Sequence, residues 1–218
     1  LQLKWYKCRF ILTKESGFMV YEIRQIAGKA QIEQCHSFEI SNFQWRSIYR
    51  PRAQGCVGYI ENKGFLVWLA CEEVHPKADC VRNFDPIYKD SALDAFFQFD
   101  LENNNYFSFE FNARGACIAS YGHTRHLRIP FSPDHITDLN IRPKVTPYGW
   151  QILFFIPEST IFFFQPRSRW KKTRLIYCNF YKTSEDPDIE HYGSFAPVDL
   201  PRPNFHQTGS FVKASIVN

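Results

Sequence analysis

The most constraining feature of this sequence is an alternation of apolar and polar residues with a period of two. Between positions 106 and 112, Phe107, Phe109 and Phe111 alternate with polar residues. Successive side chains of an extended strand point to opposite faces, so this segment predicts a strand with one core face and one polar face. Apolar residues at helical spacing are scarce elsewhere, and the sequence therefore predicts an all-β fold.

Turn-forming residues predict two β-hairpins. Residues 56–60 and 65–71 flank Glu61-Asn62-Lys63-Gly64, and residues 94–101 and 106–112 flank Glu102-Asn103-Asn104-Asn105. Asn and Gly accept the backbone conformations of tight turns, so each pair of segments is expected to be antiparallel. Further strands are predicted at 150–156, 174–181 and 211–217. Long loops, of the kind that carry function or are disordered, are expected at 75–89, 122–141 and 183–208.

The chain has no internal repeat and no linker that would divide it, so residues 1–218 are predicted to form one domain. Residues 1–35 are either a hairpin of that domain or an added segment. Aromatic residues make up 17% of the sequence, and 22 of them are Phe. Phe lacks the polar group that suits Tyr and Trp to half-exposed sites. Most of the aromatic residues are therefore expected in the core.

Charge and hydropathy exclude several classes of partner. A formal net charge of +4 is too small and too dispersed to indicate a nucleic-acid or membrane surface. The longest apolar runs fall far short of the ~20 residues of a membrane helix. No signal peptide is visible, and the odd number of cysteines, seven without a CxxC pair, is typical of reduced thiols. We therefore expect a cytoplasmic protein; the alternative is a secreted one whose signal peptide has been removed. The oligomeric state stays open.

Motifs for common catalytic chemistry are missing. The sequence has no GxSxG elbow, no GxxxxGKS/T loop and no GxGxxG turn, so acyl transfer and nucleotide binding are not predicted. His123, His126 and Cys117 match no standard spacing of metal ligands, and no metal site is predicted. Five acidic residues in or beside predicted strands could supply the two carboxylates of a glycosidase, although a hydrogen-bonded or solvated strand face explains them as well. These residues are Glu72, Glu73, Asp90, Asp94 and Glu110.

The polar residues of three predicted strands share one side-chain parity and are expected to form a single surface. They are Asp94 and Gln98, then Ser108, Glu110 and Asn112, then Tyr177, Asn179 and Tyr181. Carboxylates and amides of this kind bind sugar hydroxyls while an aromatic ring packs on the C–H face, but an ordinary wet face of a sheet has the same pattern. Trp45 and Tyr88, near loops, are candidate stacking rings, whereas Trp68 and Trp150, within strands, are expected in the core. Arg125 and Arg128 are candidate bidentate donors or salt-bridge partners.

Four segments, in order, resemble the family 9 carbohydrate-binding modules over roughly residues 38–217. Asp90-Ser91-Ala92-Leu93-Asp94-Ala95-Phe96 resembles the Asp-Ser-x-x-Glu-x-Phe strand of that family. Tyr106 to Gly115 resembles the next strand and turn in a branch of that family, and residues 179–182 match its later Asn-Phe-Tyr-Lys strand. The closing Phe-His segment matches Phe205 and His206.

The resemblance implies a jelly-roll-like antiparallel β-sandwich that binds sugars, often the ends of plant polysaccharides such as xylan, with calcium in some members. No Asp-rich loop here indicates calcium, so no cofactor is predicted. Two tryptophans clamp the ligand in sugar-binding members; their positions fall near Ile87 or Tyr88 and on Phe205.

We therefore predict a non-catalytic carbohydrate-binding domain. Tyr88 and Phe205 are predicted as the stacking pair, and the predicted hydroxyl partners are Asp94, Glu110, Asn112, Asn179 and Tyr181. One alternative is a glycoside-active enzyme that uses two of Glu73, Asp94 and Glu110. Another is a structural or interaction module that has lost the sugar site, which would be favoured if Tyr88 and Phe205 were buried or far apart.

Overall fold

The computed structural model describes residues 20–218; Cys8 and the first part of the predicted N-terminal extension lie outside the described residues. The strands are β1 Val20–Gln25, β2 Ser37–Ile40, β3 Asn42–Phe43, β4 Ala53–Ile60, β5 Gly64–Cys71, β6 Ala92–Gln98, β7 Tyr106–Asn112, β8 Cys117–Gly122, β9 Arg128–Pro130, β10 Arg142–Thr146, β11 Gly149–Pro157, β12 Leu175–Ser184, β13 His191–Ser194 and β14 Val212–Val217. The helices are α1 Pro133–Asp138, α2 Glu158–Phe164 and α3 Trp170–Thr173, with short 3-10 helices at Lys29–Gln34, Ile87–Lys89 and Thr208–Ser210.

Both predicted hairpins are confirmed. Strands β4 and β5 pair antiparallel, with Val57 opposite Val67, and β6 and β7 pair antiparallel, with Ala95 opposite Phe109. The first turn depends on left-handed backbone at Asn62 (φ 56°) and on Gly64 (φ 142°). A side chain at Gly64 would place its Cβ 2.1 Å from the carbonyl oxygen of Ile156, so only glycine fits there. The strands predicted at 150–156, 174–181 and 211–217 are present as β11, β12 and β14.

The strands form one continuous, curled sheet whose two halves enclose the core. The order along the sheet is β10-β11-β5-β4-β1-β14-β12-β6-β7-β8-β9. Rings from the two halves meet across the core: Phe111 lies 4.6 Å from Phe154, and Phe38 stacks on Phe180 at 4.0 Å, centroid to centroid. The expected β-sandwich is therefore confirmed, and the alternating phenylalanines of β7 are all fully buried in its core.

Strand β1 corrects the expectation of a purely antiparallel sheet. It pairs in parallel with both β14 and β4, at the seam where the two halves of the sheet join. The described part of the predicted N-terminal extension therefore contributes an internal strand to the sheet. Two of the expected loops also contain regular structure: β9 and α1 lie within 122–141, and β13 lies within 183–208. These short elements carry too few residues for a periodic pattern to reveal them.

The polar surface predicted on β6, β7 and β12 exists, but most of it is covered. Register places Asp94 opposite both Glu110 and Tyr181, which confirms the shared face. Five large residues of this face and of the segments above it form a second hydrophobic cluster: Phe96, Tyr106, Tyr181, Val198 and Phe211. The chain after β13 lies over the strands there. Another part of the face, which includes Asp94 and Glu110, lines a cavity.

Candidate functional site

A cavity of about 230 Å³ lies between the outer face of the sheet and the segment that connects β13 to β14, residues 195–211, which we call the closing segment. Its floor consists of Asp94, Phe96, Glu110, Ile118, Ser120 and Thr183, from four adjacent strands. Its walls come from the segments above the sheet and include Tyr88, Arg125, Arg128, Glu185, Tyr192, Asn204, Phe205 and His206. This mixture of rings, carboxyl groups and hydrogen-bond donors is typical of a small-molecule site, although such sites usually span roughly 300 to 1,000 Å³. The cavity is therefore suited to a small ligand or to the end of a larger one.

Strand register brings two carboxyl groups together on the floor. Asp94 of β6 and Glu110 of β7 are direct cross-strand partners with side chains on the same face. Directly opposed residues on antiparallel strands have Cβ atoms about 4.5–5.5 Å apart. The two acids are therefore neighbours because the hairpin pairs their strands, and the seven-residue connection between β6 and β7 (residues 99–105) fixes their alignment.

Asp94 is the deeper of the two acids, with only 4% of its surface exposed. Its Oδ2 accepts a hydrogen bond of 3.2 Å from the Thr183 hydroxyl, whereas its Oδ1 is buried and has no hydrogen-bond partner in the described chain. Burial raises the pKa of this carboxyl well above its ordinary range, and the charge of Glu110 raises it further. Asp94 therefore retains a proton at pH values where an exposed aspartate has lost it.

Glu110 is half-buried beside Asp94. Burial raises its pKa to about 7, while the charges of Arg128 and Arg125 act in the opposite direction. Within residues 20–218, neither Glu110 nor Asp94 forms a salt bridge with a basic side chain. The floor thus presents two carboxyl groups that the protein itself does not neutralise.

Arg128 reaches over the sheet from β9 but is occupied by neutral acceptors. Its Nε donates to the Ser120 hydroxyl at 2.6 Å and its Nη2 to the Ser108 hydroxyl at 2.9 Å. Its guanidinium also lies 4.4 Å from the ring centre of Tyr106, a cation–π geometry. Arg125 pairs instead with Glu185 at 3.3 Å. Of the two roles expected for these arginines, the salt bridge is present for Arg125, and its partner is Glu185 rather than an acid of the floor.

Aromatic rings form two parts of the wall. Tyr88, in the 3-10 helix before β6, is 38% exposed. Phe205, in the closing segment, is half-buried and stacks on the ring of Tyr181 with 4.1 Å between centroids. Trp45 lies behind Phe205, at 5.5 Å between centroids, and its indole N–H donates to the carbonyl of Leu200. Trp45 therefore supports the wall and does not line the cavity.

His206 contributes a neutral imidazole to the wall. Its Nδ1 lies 2.7 Å from the Tyr106 hydroxyl. Burial lowers the pKa of His206 to about 3, and the nearby charges of Arg128 and Arg125 lower it as well. The ring is therefore uncharged near neutral pH, and its donor and acceptor nitrogens are available for neutral ligands.

Four of the seven predicted sugar-binding residues line this cavity: Tyr88, Asp94, Glu110 and Phe205. The other three are fully buried and lie outside its lining. The Asn112 amide donates to Asp90 and to the carbonyl of Cys80, both at 2.8 Å, and the Asn179 amide donates to the carbonyls of Ala196 and Ser210. Tyr181 lies beneath Phe205. Parity placed these three on the correct face but could not show that other chain segments cover it.

Other residues of the cavity were not among the predicted sugar contacts. Arg128 and Thr183 reach the cavity from strand ends that were assigned to loops. Ser120 is opposite Ser108 in register and could have been found only once β8 was recognised. Asn204 and His206 flank Phe205 in the closing segment, so the resemblance of that segment was the available indication.

The third acid considered for a glycosidase, Glu73, lies elsewhere. It is buried, and its Oε2 accepts hydrogen bonds from Ser91 Oγ at 2.5 Å and from Trp150 Nε1 at 2.9 Å, with the Lys182 ammonium 3.6 Å away. Asp94 and Glu110 are therefore the only pair from that set that shares the cavity.

In the part of the chain that is described, no group of three or more His, Cys, Asp and Glu is arranged to hold a metal ion. None of the helices between residues 20 and 218 is long and apolar enough to span a membrane.

Solved structures with the same fold cover nearly the whole chain. A protein from Bacteroides uniformis ATCC 8492, proposed to bind carbohydrate, has a TM-score of 0.78 at 17% identity, over 91% of this chain and 99% of its own. A family 9 carbohydrate-binding module from Caldicellulosiruptor kristjanssonii, in complex with cellotriose, has a TM-score of 0.63 at 8% identity, over 90% and 92% of the two chains. The module from the same organism in complex with glucose has a TM-score of 0.61 at 9% identity, over 90% and 95%.

The family model for carbohydrate-binding family 9 matches residues 24–215, which include β4 to β13 and every residue that lines the cavity. No curated protein matches the sequence significantly. The family comprises non-catalytic modules, so the expectation of a carbohydrate-binding domain without its own catalytic activity is confirmed. The chain belongs to carbohydrate-binding family 9.

Proposed function

We propose that this domain binds the end of a saccharide chain in the cavity between β6, β7 and the closing segment. The observation that carries the proposal is that Tyr88 and Phe205, far apart in the sequence, line the same cavity as Asp94 and Glu110. Aromatic rings pack against the C–H face of a sugar, and carboxyl groups bind its hydroxyls. Because both rings are partly exposed and share one cavity, the condition that would favour a module without a sugar site is not met.

The proposal assigns each residue a distinct contact. Tyr88 and Phe205 provide the apolar surfaces, and the stack of Phe205 on Tyr181 orients its ring before the ligand arrives. Asp94 and Glu110 provide hydrogen bonds from the floor, while Asn204 and His206 provide them from the wall. A small site of this kind gives modest affinity, with a Kd between ~1 mM and ~1 μM, which corresponds to about 4 to 8 kcal/mol.

Calorimetric titration with glucose and cellotriose, the ligands of the modules from Caldicellulosiruptor kristjanssonii, tests the proposal directly. A glycan array extends the test to other sugars, including xylo-oligosaccharides. Tyr88→Ala and Phe205→Ala are each expected to weaken binding by tenfold or more. Tyr148→Ala and Phe163→Ala are matched controls, because these rings are 73% and 67% exposed and lie outside the cavity.

Three further outcomes test the proposal. If the domain binds chain ends, the number of sites per mass of polymer falls with chain length while the affinity for each chain does not change. If neither the array nor calorimetry at millimolar concentration detects any sugar, the proposal is wrong. The protein has another cavity, which is lined by residues that include Tyr49 and Glu73. Nuclear magnetic resonance shifts that map to that cavity, instead of to Phe205 and Glu110, would also contradict the proposal.

A further inference from the structure

The floor of the cavity contains two adjacent carboxyl groups to which the described part of the protein donates few hydrogen bonds. Asp94 and Glu110 are cross-strand partners, and neither forms an ion pair within residues 20–218. The basic groups nearby are used elsewhere, since Arg125 pairs with Glu185 and Arg128 donates to the hydroxyls of Ser108 and Ser120. Two ionised carboxylates in such positions would repel each other in a poorly solvated site.

The two oxygens of Asp94 have different surroundings. Oδ2 accepts a hydrogen bond from Thr183, whereas Oδ1 is buried and has no partner in the described chain, although Asp94 itself lines the cavity. An ionised carboxylate needs several donors, and a buried one without them is strongly disfavoured. A protonated carboxyl needs one acceptor for its O–H. A ligand oxygen in the cavity would supply that acceptor.

We propose, as an extension of the proposed sugar binding, that Asp94 and Glu110 recognise the ligand as a donor–acceptor pair. Asp94 donates a hydrogen bond to a sugar oxygen through a protonated Oδ1, and Glu110 accepts one from a neighbouring hydroxyl. Two adjacent carboxyl groups commonly hold one proton between them. Here the more buried Asp94 holds it, while Glu110 is more exposed and is the one stabilised by the arginine charges.

The other charged and titratable groups around the pair agree with this assignment. Lys182 lies on the opposite face of β12, where its ammonium contacts Ser91, His191 and Glu73, so its charge is already shared. His206 is neutral near pH 7 because burial lowers its pKa to about 3. The charged and titratable groups around the pair are Arg125 and Arg128 around β9, Glu185 after β12, Tyr106 of β7, Tyr181 and Lys182 of β12, and His206 of the closing segment.

The decisive variant is Asp94→Asn, because an amide has the shape of a protonated carboxyl and keeps its donor. With cellotriose as the probe, Asp94→Asn is expected to bind within about threefold of the unmodified protein at pH 8, whereas Asp94→Ala loses tenfold or more. Asp138→Asn, a carboxyl-to-amide change on the exposed face of α1, is the matched control and is expected to leave the affinity unchanged. If Asp94→Asn loses tenfold while remaining folded, Asp94 acts as an ionised acceptor and the inference is wrong.

The pH dependence separates the two acids. The affinity of the unmodified protein is expected to rise as Glu110 ionises near pH 7 and to fall at alkaline pH as Asp94 loses its proton. Asp94→Asn should keep the first change and lack the second, and Glu110→Gln should lack the first. Equal alkaline losses in Asp94→Asn and the unmodified protein would overturn the inference.

A ligand-free measurement distinguishes this inference from the proposed function. The ¹³C resonance of the Asp94 carboxyl is expected at a protonated position at pH 7 and is expected to reach the ionised position only at higher pH. An ionised Asp94 at pH 7, together with sugar binding, would refute the donor role and leave the proposed function intact. If no sugar binds at any pH, both fall.

Discussion

The ring of Phe205 lies on the ring of Tyr181, with 4.1 Å between centroids and 22° between planes. Tyr181 belongs to β12 and is fully buried, whereas Phe205 belongs to the closing segment and lines the cavity. One residue predicted to contact the sugar therefore positions another. This relationship couples the stability of the sheet to the orientation of the cavity wall.

Stability and sugar binding should tolerate loss of the Tyr181 hydroxyl but not loss of its ring. Tyr181→Phe keeps the stack and removes only a long hydrogen bond of 3.4 Å to the Phe205 carbonyl, so stability and sugar affinity should change little. Tyr181→Ala removes a buried ring and is expected to cost about 3–5 kcal/mol of unfolding free energy and to weaken sugar binding. Urea denaturation and calorimetric titration measure the two effects. Unchanged affinity in a folded Tyr181→Ala protein would show that the stack does not orient Phe205.

Asn179 should matter for stability and not for sugar contact. Its amide group donates to the carbonyls of Ala196 and Ser210 and accepts from the N–H of Ala196 at 3.0 Å, which ties β12 to the segments on either side of the closing loop. Asn179→Ala leaves these buried backbone groups unpaired and is expected to lower the unfolding free energy by about 1–3 kcal/mol. Below its unfolding transition, the variant should bind cellotriose within twofold of the unmodified protein. A tenfold loss of affinity in the folded variant would return Asn179 to the list of ligand contacts.

The buried ion pair of Lys182 and Glu73 should be costly to break on one side. The Lys182 ammonium is fully buried, donates to Ser91 Oγ at 2.5 Å and lies 2.7 Å from Nε2 of His191. Lys182→Ala leaves Glu73 as a buried carboxylate without its cation and is expected to destabilise by about 3–5 kcal/mol. In a double-mutant cycle of Glu73→Gln and Lys182→Met, the double variant should lose less unfolding free energy than the two single variants lose in sum. Additive losses would show that the two groups do not interact.

His206 should make the protein less stable in acid. Its pKa is lowered to about 3 in the folded state, from an ordinary value near ~6.5. Below that ordinary value the unfolded chain binds a proton that the folded protein does not, so the stability contributed by neutral His206 is present above pH ~6.5 and declines as the pH falls. The difference in unfolding free energy between the unmodified protein and His206→Gln should shrink on acidification, by at most about 1.4 kcal/mol per pH unit. A difference that stays constant from pH 7 to pH 4 would contradict the assigned pKa.

The hairpins, the core face of β7 and the pairing of Asp94 with Glu110 all follow from local information. Alternation assigns Phe107, Phe109 and Phe111 to one face, and the turn after β6 sets the register that brings the two acids together. The closing segment could be recognised from the sequence because Phe205 and its neighbours resemble a family motif. In these cases the determining interactions lie within one strand, one turn or one contiguous motif.

The parallel insertion of β1 between β14 and β4 could not be predicted from the sequence, because the alternation within a strand does not specify its partner or its direction. The same holds for the outer face of β12. Its residues have the parity of a polar surface, yet the segment after β13 covers Asn179 and Tyr181 and leaves Asp94 and Glu110 beside a cavity. The order of residues along each strand was enough to predict which side chains share a face, because side-chain direction alternates along a strand. Which of them meet solvent, and which meet protein, depended on how distant segments pack over that face.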